Sequence, residues 1–125
     1  AMGADFAYIG TAFIATEEAR ASDEYKQAIV DGSSDDIVYS NLFTGVHGNY
    51  LAPSIVAAGM DPANLPEGDL KTMNFGGGEG SKAKAWKDIW GSGQGIGAVT
   101  EVASAAAFVE KLKREYFDAR RRLAL

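Results

Sequence analysis

The chain is 125 residues long and carries 17 acidic against 12 basic side chains, a formal net charge of −5. That balance argues against a nucleic-acid or anionic-membrane surface, and no run approaches the ~20 apolar residues of a membrane-spanning helix. With no cysteine there is no disulfide framework, no thiolate chemistry and no zinc–thiolate site, and a reducing compartment such as the cytoplasm is allowed.

Phe6-Ala-Tyr-Ile9 is β-branched or aromatic apart from one alanine, which predicts a short, fully buried strand. Gly10-Thr11 breaks the run, and Ala12 to Ala15 can start a helix. A strand that ends in Gly-Thr at a helix start makes an anion site. Glycine lets a phosphate approach the backbone, the first-turn N–H groups lack partners, and the threonine hydroxyl can donate. The bland alternative is a tight turn that only reverses the chain. Glu17-Glu18 places acids where a helix N-terminus prefers them. Ser22 predicts the cap of a helix over Asp23 to Asp31, with Tyr25, Ala28 and Ile29 on one face and Gly32 past its end. Ser33 to Asp36 reads as a polar loop.

Ile37 to Thr44 alternates and is rich in β-formers, which predicts a strand; Gly45-Val-His-Gly48 follows as a turn-rich loop. Asn49 is placed to cap a helix running to Ala58, with Pro53 in its first turn and Gly59 as the stop. Asp61 to Gly68 is a loop or a single turn. Gly76 to Gly80 cannot hold a regular element. Nor is Gly76 to Lys82 a phosphate loop, because Ser81 separates Lys82 from the last glycine and no strand precedes the run. Ser81 predicts a helix from Lys82 to about Trp90, with Trp86, Ile89 and Trp90 on its apolar side.

Glycine then falls at every second position from Gly91 to Gly97. Such a segment brings backbone close to a flat ligand, with Ser92 and Gln94 supplying hydrogen bonds, or it is a flexible linker between helices. A dinucleotide fingerprint is rejected here, because that pattern needs a preceding strand. Thr100 predicts the start of a final helix whose apolar stripe is Val102, Ala105, Val109, Leu112, Tyr116, Ala119 and Leu123. Glu101 and Arg120 to Arg122 match the two ends of its dipole. The single histidine, His47, sits in a glycine-rich loop and reads as a solvated or cap residue; it joins neither a Ser/His/Asp set nor a metal site. Trp86, Trp90, Tyr116 and Phe117 read as helix packing rather than a stacking platform.

The stretch Gly3-Ala-Asp5, Ile9-Gly-Thr-Ala-Phe-Ile-Ala-Thr-Glu-Glu18 resembles the last barrel strand of the nitronate monooxygenase family, the 2-nitropropane dioxygenases. These are flavin mononucleotide (FMN) enzymes built on a TIM barrel. Ile89-Trp-Gly-Ser-Gly-Gln-Gly95 is similar to the family's later Trp-Ser-Ala-Gly-Gln-Gly segment, with the same order and separation of the two motifs; Gly91-Ser92-Gly93 departs from the commoner Ser-Ala-Gly. The resemblance spans nearly the whole chain, but only as the C-terminal part of the family's sequence. A complete (β/α)8 barrel takes roughly 250 residues, and an apolar strand with no strand partner nearby in sequence reads as part of something larger. The chain is therefore expected to be a fragment.

The implied fold class is α/β, the C-terminal part of a TIM barrel with a helical cap insertion, the piece itself mostly helical with one or two strands. Residues 1–17 would be the last barrel strand and phosphate turn, 18–87 the cap subdomain, and 88–125 a glycine-rich flavin-side loop and the last barrel helix. The resemblance implies FMN contacts at Tyr8, Ile9, Gly10 and Thr11, with the phosphate resting chiefly on Gly10 and Thr11, and a flavin contact from Ser92, Gly93 or Gln94. The family's catalytic histidine lies on an earlier strand, and His47 does not match it. Implied partners are an alkyl nitronate, oxygen and the remainder of the barrel. Two alternatives stand beside this reading. One is a sister flavoprotein such as the FMN-dependent enoyl-acyl carrier protein reductase, which shares the Gly-Gln motif. The other is a non-enzymatic helical module that binds through its final helix.

Overall fold

The structure, a computed structural model, describes residues 4–68 and 88–123. Its elements in order are α1 (Thr11–Ile14), α2 (Asp23–Asp31), β1 (Ile37–Ser40), β2 (Gly48–Leu51), α3 (Ala52–Ala57) and α4 (Ala105–Arg122), with 3₁₀ turns at Ser34–Asp36 and Gln94–Ala98. The predicted helix from Lys82 falls mostly outside the described residues, as do Trp86 and the Gly76 to Lys82 run.

Helix α2 starts and stops where the sequence predicts. Ser22 Oγ accepts the Tyr25 N–H at 3.3 Å, satisfying one of the donors a helix start leaves open. Ile29 is fully buried, and Tyr25 and Ala28 pack beside it. The polar stretch after it is more ordered than a loop. Ser33 caps the 3₁₀ turn, and the Asp36 carboxylate reaches back to the Ser33 N–H at 2.8 Å, a capping box.

The predicted strand at Ile37 is shorter than expected, and the helix expected at Asn49 gives way to β2. Ile37 pairs with Leu51, Val38 with Tyr50, Tyr39 with Asn49 and Ser40 with Gly48, all antiparallel. Gly45, at φ 73, turns the chain between them. Leu51 and Ile55 stand four residues apart, as one face of a helix would, and both are fully buried. Yet Tyr50 and Asn49 gain more by bonding to β1 than by starting a helix, so the helix begins at Ala52 with Pro53 in its first turn.

Two further expectations are corrected. Phe6 to Ile9 is not a buried strand: residues 4–10 pair with no strand among the described residues, and Phe6 and Tyr8 are 94% and 104% exposed. A lone strand has nothing to bond along its edges and no cover for its faces. The final helix begins at Ala105, five residues later than Thr100 suggests. The delay has a cause: Ala103 pairs in parallel with Thr16, and Glu17 N–H donates to Ala103 O at 3.0 Å.

That pairing also changes which acid serves the start of α4. Ser104 Oγ accepts the Ala107 N–H at 3.1 Å, and the Glu18 carboxylate accepts the Ala105 N–H at 2.8 Å from 87 residues away in sequence. Glu101 lies before the helix instead. The Ala105 N–H holds the Glu18 carboxyl below its usual range. A carboxylate with a lowered folded value stabilises above its ordinary pKa of about 4.3 and loses that contribution as pH falls through the lowered value. Acidification below pH ~4.3 is therefore expected to speed Ala105 amide exchange beyond its intrinsic trend, and Glu18→Ala is expected to remove that extra acid-sensitive step.

The core is a cluster of Ala15, Ile29, Leu51 and Ile96, with Ile14, Tyr25, Trp90 and Val99 against it. It draws on α1, α2, β2 and the 3₁₀ turn after Gly93, so both glycine-containing motifs pack against one apolar centre. Phe13 meets Phe108 edge-on at 4.9 Å, tying α1 to α4. Otherwise α4 is poorly covered: it has no buried residue, and Val109, Tyr116, Phe117 and Leu123 are all exposed. The helix packing expected of Tyr116 and Phe117 is thus not met among the described residues. Arg120 to Arg122 do occupy its last turn, with Arg121 paired to Asp118.

Candidate functional site

Gly10 precedes α1 with φ −107 and ψ −62, a conformation open to any residue. A Cβ built on it would meet no atom within 4 Å. Neither the backbone nor the packing of the described residues therefore demands glycine at this position. Gly10 O receives the Phe13 and Ile14 N–H groups at 3.0 and 3.3 Å, so the helix turn is made. The Thr11 and Ala12 N–H groups precede Phe13, the first donor within the helix, and so have no acceptor inside it.

The Gly93 N–H donates to Thr11 Oγ1 at 2.8 Å, across 82 residues of sequence. A threonine hydroxyl has two acceptor positions and one proton. Accepting from Gly93 leaves that proton to donate elsewhere. The two segments that the sequence singled out separately are thereby one place in the fold, and the turn over Gln94–Ala98 packs against α1 through buried Ile96.

The candidate residues divide into three groups. Gly10, Thr11, Gly93 and the exposed Gln94 come together at the surface, and Gly95 and Gly97 nearby would likewise accept a Cβ without meeting an atom within 4 Å. Ser92 is buried, with its N–H on Asn49 O at 3.1 Å, and so faces inward from that surface. Tyr8 and Ile9 lie on the uncovered stretch before the turn, with Tyr8 fully exposed.

Residues that sequence reasoning did not assign hold the second segment in place. Leu51 N–H donates to Trp90 O at 2.8 Å, and Trp90 N–H to Ser54 Oγ at 3.0 Å. Tyr50 and Gly91 form an antiparallel bridge, so the chain after Trp90 runs along the free edge of β2. Tyr25 stacks on Trp90, ring centroids 5.0 Å apart and planes 10° off parallel, and its hydroxyl donates to Gly91 O. Burial pushes the Tyr25 phenol up from its ordinary value, so it keeps its proton. The helical spacing of Tyr25 with Ile29 announced burial; nothing in the spacing could announce the carbonyl that its hydroxyl would find.

A cleft of about 910 Å³ opens beside Gly91, lined by Arg20, Tyr25, Phe43, Tyr50, Ile89 and Trp90 among others. His47 lies elsewhere, exposed and stacked on Tyr39 at 4.7 Å. No helix among the described residues is long and apolar enough to cross a membrane.

No curated protein and no solved structure matches the chain significantly. The family model described as nitronate monooxygenase matches residues 1–115. That match takes in nearly the whole chain and shows its family, one of oxidoreductases: the chain belongs to the nitronate monooxygenases.

Proposed function

We propose that this chain is the C-terminal part of an FMN-dependent enzyme that oxidises alkyl nitronates with oxygen. The observation that carries the reading is the Gly93–Thr11 hydrogen bond, which joins the anion-type turn to the glycine-rich segment. The residues present fit the cofactor. Gly10 offers backbone with clear space beside it, and Thr11 retains a proton for a phosphate oxygen. Gln94 and the open glycines after it suit the edge of a flat ring. Gly10 and Thr11 would hold the phosphate, while Gln94 and the backbone from Gly93 would lie toward the isoalloxazine. Bound FMN would carry electrons from the nitronate to oxygen.

The chain's own contribution is then grip, wall and cover. Thr11 would donate to the phosphate, and the first-turn N–H groups of α1 would face the same oxygens. Beside Gly91, the aromatic cleft would give an alkyl chain an apolar wall to lie against. The exposed apolar residues Phe6, Tyr8 and Ile9, with Val109, Tyr116 and Phe117 on α4 and Leu123 just past it, support a remaining barrel that would cover them. The catalytic base would come from that remainder.

Flavin titration tests this. The 125-residue chain alone is expected to bind FMN more weakly than micromolar and to show no oxygen uptake with alkyl nitronates. Joined to the rest of the barrel, it is expected to hold yellow flavin and consume oxygen with a nitronate. Micromolar binding with turnover by the chain alone would overturn the fragment reading, and oxidation of reduced nicotinamide with an enoyl thioester instead would select the sister flavoprotein.

A further inference from the structure

The peptide units from Ile89 to Gln94 are each tied to a partner. The Trp90 N–H goes to Ser54 Oγ at 3.0 Å, and Trp90 O accepts from Leu51 N–H at 2.8 Å. The next unit, Gly91–Ser92, is held at both ends: its carbonyl by the Tyr25 hydroxyl, its N–H by Asn49 O at 3.1 Å. After it come the Gly93 N–H on Thr11 Oγ1 at 2.8 Å and Gly93 O under the Ile96 N–H at 3.1 Å. Glycines at 91 and 93 leave the dihedrals here free to wander. Orientation of the Gly93 N–H therefore depends on what fixes the plane before it. Asn49 fixes one end of that plane from β2; the other end rests on a side chain of α2.

We propose that Tyr25 is a positioning residue for the flavin-side segment, orienting the Gly91–Ser92 peptide so that the Gly93 N–H meets the Thr11 hydroxyl and directs that hydroxyl's proton outward. The Tyr25–Trp90 stack sets where the phenol can reach, since the parallel rings leave its hydroxyl on the Gly91 carbonyl. Tyr25 touches no ligand in this scheme; it acts through Gly93 and Thr11. The proposal rests on Thr11 being the phosphate donor, and its test separates the two.

Tyr25→Phe keeps the ring and its stack while deleting one hydrogen bond. In the full chain, the Gly93 amide is expected to exchange about fivefold faster, the size of one neutral hydrogen bond, while amides in the middle of α4 such as Leu112 hold their wild-type rates. Tyr25→Leu, which also deletes the stack, is expected to speed Gly93 further. Unchanged Gly93 exchange in Tyr25→Phe would overturn the proposal, and so would an equal acceleration at Gly93 and Leu112, which is the mark of a general loss of stability. FMN titration of the chain joined to its barrel gives the second readout, with weaker binding expected for Tyr25→Phe by about the same factor as the exchange. If the wild-type protein binds no FMN but Gly93 exchange still responds, the positioning role stands and the phosphate reading falls.

Discussion

Ile96→Ala is expected to cost about 2–5 kcal/mol of folding stability, the range for deleting a fully buried aliphatic side chain. Ile96 is 0% exposed and belongs to the four-residue centre of the core. It also sits inside the glycine-rich segment, where composition alone suggests a slack linker. Its neighbour sharpens the expectation. A Cβ on Gly32 would lie 2.7 Å from Ile96 Cδ1 and 2.8 Å from Ala28 O, closer than real contacts permit. Gly32→Ala is therefore expected to destabilise by about 1–3 kcal/mol through overpacking. In the double variant the shortened side chain at 96 removes the first of those clashes, so the two effects are expected to sum to less than their separate values. Urea unfolding of the four proteins measures this. Additive costs would mean that Gly32 is required for the Ala28 carbonyl alone, and a small effect of Ile96→Ala would mean that the segment is not part of the core.

Ile96 also marks the limit of what could be read from the chain in one dimension. Helix α2 was legible to the residue, because a cap, an apolar face and a stop are all local signals. The helix expected from Ala12 to Ala15 also forms, one residue earlier, over Thr11–Ile14. The hairpin was not legible: Asn49 and Pro53 are good helix-start residues, and what turns Gly48 to Leu51 into a strand is pairing with Ile37 to Ser40. The start of α4 was misplaced for the same kind of reason, since Thr16 and Glu17 claim Ala103. At Phe6 to Ile9 the reverse holds. Composition calls for a buried strand, yet the described residues supply neither neighbour nor cover, so the local signal has nothing to act on. The candidate site divides along the same line. Gly10, Thr11 and the glycine-rich run carry local chemical signatures. That Ser92 turns inward, and that Tyr25 and Asn49 hold the peptide beside it, follows from contacts 43 to 66 residues apart in sequence.

Thr11→Val is expected to weaken FMN binding by about 10- to 100-fold in the chain joined to its barrel, because a hydrogen bond to a charged group contributes about 1.5–3 kcal/mol. Valine matches threonine in shape and β-branching, so α1 should form as before. It removes the hydroxyl proposed to donate to the phosphate and, with it, the acceptor of the Gly93 N–H. Riboflavin, which carries the same ring without the phosphate, separates those two losses. If Thr11 grips the phosphate, valine penalises FMN far more than riboflavin, and Thr11→Ser, which keeps the hydroxyl, binds both nearly as the wild type does. If the hydroxyl serves only to hold Gly93, both flavins weaken by the same factor and the Gly93 amide exchanges faster in valine but not in serine. The first pattern makes this turn the phosphate grip of the enzyme. Equal FMN affinity in Thr11→Val and the wild type would remove the Thr11 hydroxyl from the cofactor site.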